Sequence, residues 1–324
     1  MSTNEQRRWC LFTSAGDRSA VRRWVAGDEP RRWDLVAAYY GNDDREFAEV
    51  SKLCSYAFRV RGSKFQNLKK LITEQPRFFD QYSHVWVCDN DILMSKSQIN
   101  EAFDIAERLE FWVAQPAMLG EGRNSHWITC FAGPGWDYRI VNYVEVGLPI
   151  FRRDKLIEFL AIYDGSLVGA GIDPWFSAFF KAEEFGRFAI IDKVRVINPR
   201  YEVKGGSEID QLQAPHLRIA HWHHIRAKYG LAQYPPKVFA YCKLAPRRDL
   251  LAVFLPLEEF PTIEPAWLEK LRRSGWRVAS WVVKGGLIAR ALWQTARRSG
   301  WREAIWFLRC GFSIRRQRRA VNWL

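Results

Sequence analysis

The chain has 324 residues, of which 48% are hydrophobic and 15% aromatic, so we expect a buried core rather than disorder. Its net charge of +13 is concentrated at one end, because residues 265–324 contain 14 Lys or Arg against two Glu and the remainder is nearly neutral. We expect no membrane-spanning helix and no secretory signal, and the six scattered cysteines favour a reducing cytosol over a zinc or disulfide framework.

Strand-like and helix-like segments alternate over the first ninety residues. Short apolar, β-branched and aromatic segments predict strands at 9–14, 34–40, 56–60 and 85–87. Helices are predicted at 62–72 and at about 96–109. Such alternation implies parallel βαβ units with right-handed crossovers. The predicted fold class is therefore α/β, with a Rossmann-type, mostly parallel central sheet and flanking helices.

The pattern changes after residue 110. Strands are predicted at 111–114, 139–144 and 188–192, in a mixed part of the sheet, and helices at 153–163 and 173–180. Residues 198–215 read as a connection, and 216–244 show no clear pattern. We therefore predict one domain over residues 1–244, in which 198–244 is a connecting region, followed by a separate basic segment at 245–324.

The basic segment is rich in Trp and Arg. The hexapeptide Arg-Arg-Ser-Gly-Trp-Arg occurs at 272–277 and again at 297–302, and seven of the 16 Trp lie in the last sixty residues. Spacing of apolar residues from Trp301 to Leu308 predicts an amphipathic helix. A pair of ordinary docked helices with solvated Arg side chains would explain this pattern. The uneven charge favours a different interpretation, contact of residues 265–324 with an anionic membrane surface.

Two carboxylates follow the fourth predicted strand, which is buried and ends at Asp89-Asn90-Asp91. A buried parallel strand delivers the residues after it to the carboxyl edge of the sheet, where open α/β folds bind ligands. Two acids there repel each other unless a cation lies between them, and Mg²⁺ or Mn²⁺ suits such a place together with substrate phosphate oxygens. The alternative is a solvated loop, or an N-cap in which Asp91 precedes the helix from about residue 96.

Several further segments occur in a fixed order along the chain. They are Lys-Phe at 64–65, Val-Trp-Val-Cys-Asp-Asn-Asp at 85–91, Gln-Pro-Ala at 115–117, Ser-His-Trp-Ile-Thr at 125–129, Val-Glu at 144–145 with Pro149 and Phe151, and Gly-Ile-Asp at 171–173. In this order the chain resembles GT-A-class nucleotide-sugar glycosyltransferases, and specifically the family labelled "lysine-ketoglutarate reductase trans-splicing related". The resemblance covers roughly residues 9–200 and excludes the basic segment.

The resemblance implies a nucleotide and metal site. Asp89 and Asp91 would hold Mn²⁺ or Mg²⁺, with Asp89 also reaching the ribose. Thr13, at the end of the first strand, and Lys64, at the start of a helix, would join Asp89 in binding the nucleotide. For Lys64, a solvent-facing side chain is the alternative. Asn198 stands where the related family has a histidine ligand, so the metal site would be looser, completed by phosphate and water, or absent.

The resemblance also implies an acceptor side. Asp173 would be the general base of an inverting transfer, which removes the proton of the acceptor hydroxyl. Its alternative role is an N-cap, favoured by Pro174 directly after it, and both roles are compatible. His126 and Glu145 would line the acceptor side of the cleft. A loop histidine and a glutamate paired with a nearby arginine are the alternatives.

Four histidines lie close together, at His216, His221, His223 and His224. An i, i+3 pair on a helix can share a zinc ion, but no Cys or acid accompanies them at a familiar spacing. We favour a surface or hinge cluster, and contact with substrate from beyond the main domain is a further alternative.

Together these observations predict a cytoplasmic, metal-dependent glycosyltransferase, peripheral on the inner face of the cytoplasmic membrane. It would move a sugar from a nucleoside-diphosphate donor to a glycan or lipid-linked acceptor. One alternative is a nucleic-acid-binding protein that uses the Arg/Trp segment, which the nearly neutral body makes the weaker hypothesis. Another is a catalytically silent scaffold with the same fold, which Asn198 leaves open. The pattern does not identify the sugar, the base or the acceptor.

Overall fold

The computed structural model describes residues 8–200, 210 and 212–244, and its elements up to Tyr241 belong to one compact unit. The predicted basic segment at 245–324, with its repeated hexapeptide and amphipathic helix, lies outside the described residues, as does most of the connection after residue 200. The boundary at residue 244 therefore stays a prediction. Within the described ranges, no helix has both the length and the apolar character that crossing a bilayer requires.

Strands and helices alternate along the described chain. The strands are β1 (Trp9–Ala15), β2 (Trp33–Tyr39), β3 (Tyr56–Arg59), β4 (His84–Asp89), β5 (Val113–Met118), β6 (Tyr138–Val141), β7 (Ile150–Arg152), β8 (Phe188–Val196) and β9 (Val238–Cys242). The α-helices are α1 (Val21–Val25), α2 (Asp44–Leu53), α3 (Lys64–Glu74), α4 (Lys96–Arg108), α5 (Arg153–Ile162), α6 (Ile172–Phe179), α7 (Ala182–Phe185) and α8 (Pro215–Tyr229). A short 3-10 helix spans Trp127–Thr129.

The strands form one sheet in the order β3-β2-β1-β4-β7-β5-β8-β6-β9. The strands β3, β2, β1 and β4 are parallel to one another, and so are β5 and β8. β7 is antiparallel to both β4 and β5, and β6 is antiparallel to β8. The predicted α/β fold is confirmed, with a parallel first half and a mixed second half.

The strand order reverses between β1 and β4. The chain passes from β1 to β2 and β3 on one side, and β4 then lies on the other side of β1. Ligands of open α/β sheets bind at such a reversal, beyond the carboxyl ends of the strands. Asp89, the last residue of β4, and Asp91 lie at this position.

Side-chain caps fix the starts of the helices that border this edge. α4 begins with a capping box, in which Ser95 N donates to Gln98 Oε1 (2.8 Å) and Gln98 N donates to Ser95 Oγ (3.3 Å). Ser95 is therefore the N-cap of α4, and the alternative interpretation of Asp91 as a cap is wrong. α3 begins at Lys64, where the N-cap Ser63 N donates to Gln66 Oε1 (2.9 Å), close to the predicted start of this helix.

An aromatic cluster packs α3, α5 and α6 against the sheet. Phe65 of α3 meets Phe151 of β7 and Phe159 of α5 edge to face, with centroids 6.3 and 6.1 Å apart. Phe176 of α6 contacts the same two rings at 5.3 and 5.8 Å. Each such pair adds about 0.5–1.5 kcal/mol to the free energy of burial. The cluster thereby holds in place the N-terminal ends of α3 and α6, which carry candidate site residues.

The fifth strand begins and ends later than predicted. It spans Val113–Met118 instead of 111–114, and its register with β8 shifts between Pro116 and Ala117. Pro116 has no N–H to donate, so the sequence reads as the end of a strand at this point. An irregularity in the pairing accommodates the proline, and the strand continues to Met118.

Several other elements were missed or misplaced. The segment at 41–44 reads as a turn, but Asp43 caps α2 by accepting hydrogen bonds from Arg45 N (2.8 Å) and Glu46 N (3.1 Å). α1, α7 and β7 have only five, four and three residues, too few for a periodic pattern. α8, which the sequence did not place, begins with Pro215 at its first position and ends at Gly230 with a φ of 60°.

His84 makes the stability of this fold sensitive to mild acid. Its side chain is buried at the start of β4, where burial, followed by the charge of Arg152, lowers the pKa of His84 from 6.5 to about 4. The unfolded chain therefore binds a proton on this residue at pH values where the folded chain does not. The free energy of unfolding is therefore unaffected by protonation of His84 above pH 6.5. It decreases as the pH falls from 6.5 towards 4, by about 3 kcal/mol in total.

Urea unfolding of the wild type and of His84→Gln at several pH values tests this prediction. The free energy of unfolding of the wild type should fall more steeply between pH 6.5 and 4 than that of the variant. His223→Gln, which replaces an exposed histidine of α8, should keep the wild-type pH dependence. Equal slopes for the wild type and His84→Gln would contradict the assignment.

Candidate active site

A cleft of about 2000 Å³ lies at the carboxyl edge of the parallel strands, where the strand order reverses. It is lined by the residues that follow β1, β2 and β4 and by the segments around Glu145 and Gly169. Its volume exceeds the ~300–1,000 Å³ of an ordinary small-molecule pocket. The cleft is therefore large enough for an elongated ligand together with part of a second substrate.

Lys64 and Asp89 form an ion pair in this cleft. Lys64 Nζ donates to Asp89 Oδ1 (2.5 Å) and to the carbonyl oxygen of Gly147 (2.8 Å), and its side chain is only 9% exposed. Asp89 N also donates to Gly147 O (2.8 Å), which ties the end of β4 to the loop before β7. The solvent-facing alternative for Lys64 is therefore wrong. Lys64 fixes one oxygen of Asp89 and balances its charge.

Asp91 differs from Asp89 in its ion pairing. Among the residues that the structure describes, no basic side chain forms an ion pair with it. Burial, and then the negative charge of Asp89, raise the pKa of Asp91 to about 6. The charges of Lys64 and Arg123 lower this pKa, but they do not outweigh burial and Asp89. An additional positive charge would therefore stabilise the ionised carboxylate of Asp91.

The chemistry of this carboxylate pair fits a divalent cation. Mg²⁺ and similar hard ions bind one or two protein carboxylates and complete their coordination with substrate phosphates and water. In the described ranges, no three His, Cys, Asp or Glu side chains are grouped to hold a metal ion. Two carboxylates alone suit an ion that is shared with a phosphate-bearing ligand.

Glu145 lines the cleft and interacts electrostatically with Asp89 and with a second acidic residue, Asp173. It is 8% exposed, and burial, followed by the charges of Asp173 and Asp89, raises the pKa of Glu145 to about 7. Its backbone N donates to Oε1 of the fully buried Gln115 (2.6 Å), which holds Glu145 against β5. The charges of Asp89 and Asp173 therefore both act on the carboxyl group of Glu145.

Asp173 forms the centre of a second acidic group. It lies in the first turn of α6, where its Oδ1 accepts from Gly171 N (3.2 Å) and its Oδ2 accepts from the hydroxyl of Tyr143. His126 Nε2 lies 2.9 Å from the Tyr143 hydroxyl and 4.0 Å from Asp173 Oδ2. Asp173 is 5% exposed, and burial raises its pKa. Gly171 is the N-cap of α6, so the alternative role of Asp173 as the N-cap is wrong.

Two predicted site residues lie in different surroundings. Thr13 is completely buried within β1, and its neighbour Ser14 is the residue of this strand that lines the cleft. The structure thus places Thr13 in the core, away from the position expected for nucleotide contact. Asn198 lines the cleft, because a bridge between Leu93 and Ile197 brings it beside the segment that carries Asp91.

Sequence reasoning missed two residues that organise the site. Tyr143 links Asp173 to His126, and Gln115 holds the backbone of Glu145. Gln115 follows the predicted strand at 111–114 and belongs to the Gln-Pro-Ala segment of the resemblance, but the pattern gave it no role. In the structure it is a buried polar residue of β5, which is expected to form a hydrogen bond. Tyr143 offered no signal of its own, because its partners come from segments 17 and 30 residues away.

The histidine cluster lies on α8. His216, His223 and His224 are exposed, and His221 Nδ1 lies 2.6 Å from Gln213 Nε2. The described residues provide no group of three metal-binding side chains around them.

No family model matches the chain, and no curated protein sequence does so. Similar solved structures include S. aureus TarS, with 12% identity and a TM-score of 0.44 over 81% of this chain and 47% of TarS. S. aureus TarS 1–349 in complex with UDP-GlcNAc matches with 11% identity and a TM-score of 0.42, over 92% of this chain and 89% of the other.

A further similar structure is GalNAc-T7 with UDP, GalNAc and Mn²⁺, with 12% identity and a TM-score of 0.46. That match covers 71% of this chain and 55% of GalNAc-T7. The chain thus spans about half the length of TarS and GalNAc-T7. Its activity has to be inferred from its own residues.

Proposed function

We propose that the chain is a glycosyltransferase that takes a sugar from a nucleoside-diphosphate donor with the help of Mn²⁺ or Mg²⁺. The observation that carries the proposal is the pair of carboxylates, Asp89 and Asp91, in a large cleft at the reversal of strand order. Lys64 binds Asp89, whereas no basic side chain in the described part of the chain forms an ion pair with Asp91. This arrangement suits a diphosphate, since a cation on the two carboxylates attracts its oxygens.

Each part of the site has a role in this reaction. Asp89 and Asp91 would hold the cation, and the carbonyl oxygen of the Asn198 side chain is available as a further ligand. When bound, the cation neutralises the charge that develops on the diphosphate as the bond to the sugar breaks. Lys64 orients Asp89 and adds a positive charge next to the diphosphate.

The acceptor side is assigned to the second acidic group. A transfer with inversion needs a base on the face of the sugar opposite the leaving diphosphate. The cluster of Asp173, Tyr143 and His126 would supply this base. Support comes from Glu145, which lines the cleft and whose pKa both Asp173 and Asp89 raise. His126 and Glu145 are also placed to contact hydroxyl groups of an acceptor.

The acceptor class and the location of the protein are proposed from the sequence. The basic, Trp-rich residues 265–324 suit an anionic membrane surface, at about 1 kcal/mol for each Lys or Arg near the lipid headgroups. A transferase held there, on the cytoplasmic face, would meet a lipid-linked or glycan acceptor. Nucleic acid remains the weaker partner, because residues 1–264 are nearly neutral.

A thermal unfolding screen tests the proposed function directly. The panel contains UDP, GDP, ADP, CDP and dTDP, their common sugar conjugates and the matching monophosphates, each with and without Mn²⁺. One nucleoside diphosphate with Mn²⁺ should raise the unfolding temperature more than nucleotide or metal alone, since a ligand at 100 times its Kd adds about 2.7 kcal/mol. The monophosphates should stabilise less, because they lack one of the two phosphates that share the cation.

Turnover completes the test. The donor that stabilises the protein most should be hydrolysed slowly with water as acceptor, and chelation of the metal should stop this hydrolysis. A protein that no nucleotide stabilises at millimolar concentration would contradict the proposal and favour a catalytically silent scaffold. Hydrolysis that persists at full rate without divalent metal would contradict the role of Asp89 and Asp91.

A further inference from the structure

Asp173 is enclosed, whereas His126 is the member of its cluster that faces solvent. Both carboxylate oxygens of Asp173 are occupied, Oδ1 by the backbone N of Gly171 and Oδ2 by the hydroxyl of Tyr143. The Asp173 side chain is 7% exposed, against 37% for His126. Ser125, the residue before His126, lines the cleft. An acceptor hydroxyl that enters beside Ser125 meets the partly exposed imidazole of His126 before the enclosed carboxylate of Asp173.

The hydrogen bonds define where the protons lie. The hydroxyl of Tyr143 has one proton, which it donates to Asp173, so its oxygen accepts from Nε2 of His126 at 2.9 Å. A neutral imidazole has one N–H, so Nδ1 of His126 carries the free electron pair. Among the described residues, no hydrogen-bond partner occupies this Nδ1. The cluster thus presents a base at its exposed end.

We propose that His126 is the general base of the transfer and that Asp173 acts through Tyr143 as a positioning residue. This inference rests on the proposed function. Nδ1 of His126 takes the proton of the acceptor hydroxyl while the acceptor oxygen forms a bond to the anomeric carbon. The bond from that carbon to the diphosphate breaks, and its electron pair leaves with the nucleoside diphosphate.

The cluster balances the charge that this step creates. A doubly protonated His126 carries a positive charge, and its Nε2 lies 4.0 Å from the carboxylate of Asp173. Tyr143 bridges the two groups and holds the imidazole plane, with ring centroids 4.7 Å apart. Asp173 thereby does for His126 what a buried carboxylate does in other carboxylate–histidine pairs: it fixes the tautomer and stabilises the imidazolium.

Hydrolysis of the donor selected in the thermal screen, with water as acceptor, tests the assignment. His126→Ala should lower hydrolysis by about 100-fold, which is the usual contribution of a general base. Added imidazole should restore part of this loss, because the side chain it replaces is partly exposed. His223→Ala, an exposed histidine of α8, should retain the wild-type rate. Hydrolysis by His126→Ala within twofold of the wild type would overturn the inference.

A double-mutant cycle separates a positioning role of Asp173 from a direct one. Asp173→Asn should slow hydrolysis in the wild-type background but change it by less than about twofold in the His126→Ala background. Imidazole should not rescue Asp173→Asn. If Asp173 is itself the base, its substitution will cost the same factor in both backgrounds, and imidazole will rescue neither variant. Tyr143→Phe replaces Asp173→Asn in the cycle should the latter fail to fold.

The tautomer gives a readout that needs no substrate. In protein labelled with ¹⁵N-histidine at about pH 8, where an ordinary imidazole is neutral, His126 should carry its proton on Nε2. Tyr143→Phe should reduce this preference, because the acceptor of the Nε2 proton is lost. A proton on Nδ1 in the wild type would overturn the inference. A wild type that binds and hydrolyses no donor, with the Nε2 tautomer present, would instead contradict the proposed function.

Discussion

Replacing Asp91 with Asn is expected to lower donor hydrolysis by about 100-fold or more while leaving the fold intact. The loss follows from the removal of one of the two carboxylates that would hold the cation. The fold should tolerate the change, because Asp91 has no ion pair among the described residues and its negative charge is repelled by that of Asp89. Asparagine keeps the size of the side chain and removes the repulsion.

Two measurements on this variant distinguish a site residue from a structural one. Hydrolysis rates at increasing Mn²⁺ should show a weaker metal dependence, and calorimetry should show weaker binding of the nucleoside diphosphate in the presence of Mn²⁺. The unfolding temperature without ligand should equal or exceed that of the wild type. Asp44→Asn is a matched control, since Asp44 is 91% exposed and does not line the cleft. If Asp91→Asn hydrolysed the donor at the wild-type rate, this result would contradict the proposed metal site.

The position of the Asp89-x-Asp91 pair was predictable because its determinants are local. A buried strand followed by polar residues specifies both the strand and the edge at which it ends. The position of Lys64 was also predictable from local sequence, because the capping residues after β3 place it at the start of a helix. What the sequence did not show is that Lys64 points inward to Asp89, 25 residues away, instead of outward to solvent.

The acceptor side was less accessible to sequence reasoning because its contacts are between distant segments. Asp173, Tyr143 and His126 belong to three segments that meet only after the sheet has formed. The shortest strand explains part of the difficulty. β7 has three residues and no alternating pattern, yet it lies between β4 and β5 and brings Gly147 to Asp89. The placement of such a short strand within the sheet depends on tertiary packing, which local propensity does not describe.

Asp192→Asn is expected to cost about 3–5 kcal/mol of stability, because it leaves the charge of Arg139 buried without its partner. Arg139 and Asp192 are 2% and 1% exposed, and Arg139 donates to both oxygens of Asp192 at 2.8 and 3.0 Å. Arg139 also donates to the carbonyl oxygens of Ile128 (2.9 Å) and Cys130 (2.6 Å). The pair therefore anchors the segment that carries His126 to β6 and β8.

Urea unfolding measures the loss of stability. Donor hydrolysis, measured below the unfolding transition, measures the loss of positioning of the segment that carries His126. Glu49→Gln breaks the exposed pair with Lys52 and should cost less than about 1 kcal/mol. The double variant Arg139→Met with Asp192→Leu removes both charges and should recover part of the lost stability. Its hydrolysis rate should stay low, because the carbonyl oxygens of Ile128 and Cys130 no longer have their donor. Full recovery of hydrolysis together with stability would mean that the pair supports the fold without positioning His126.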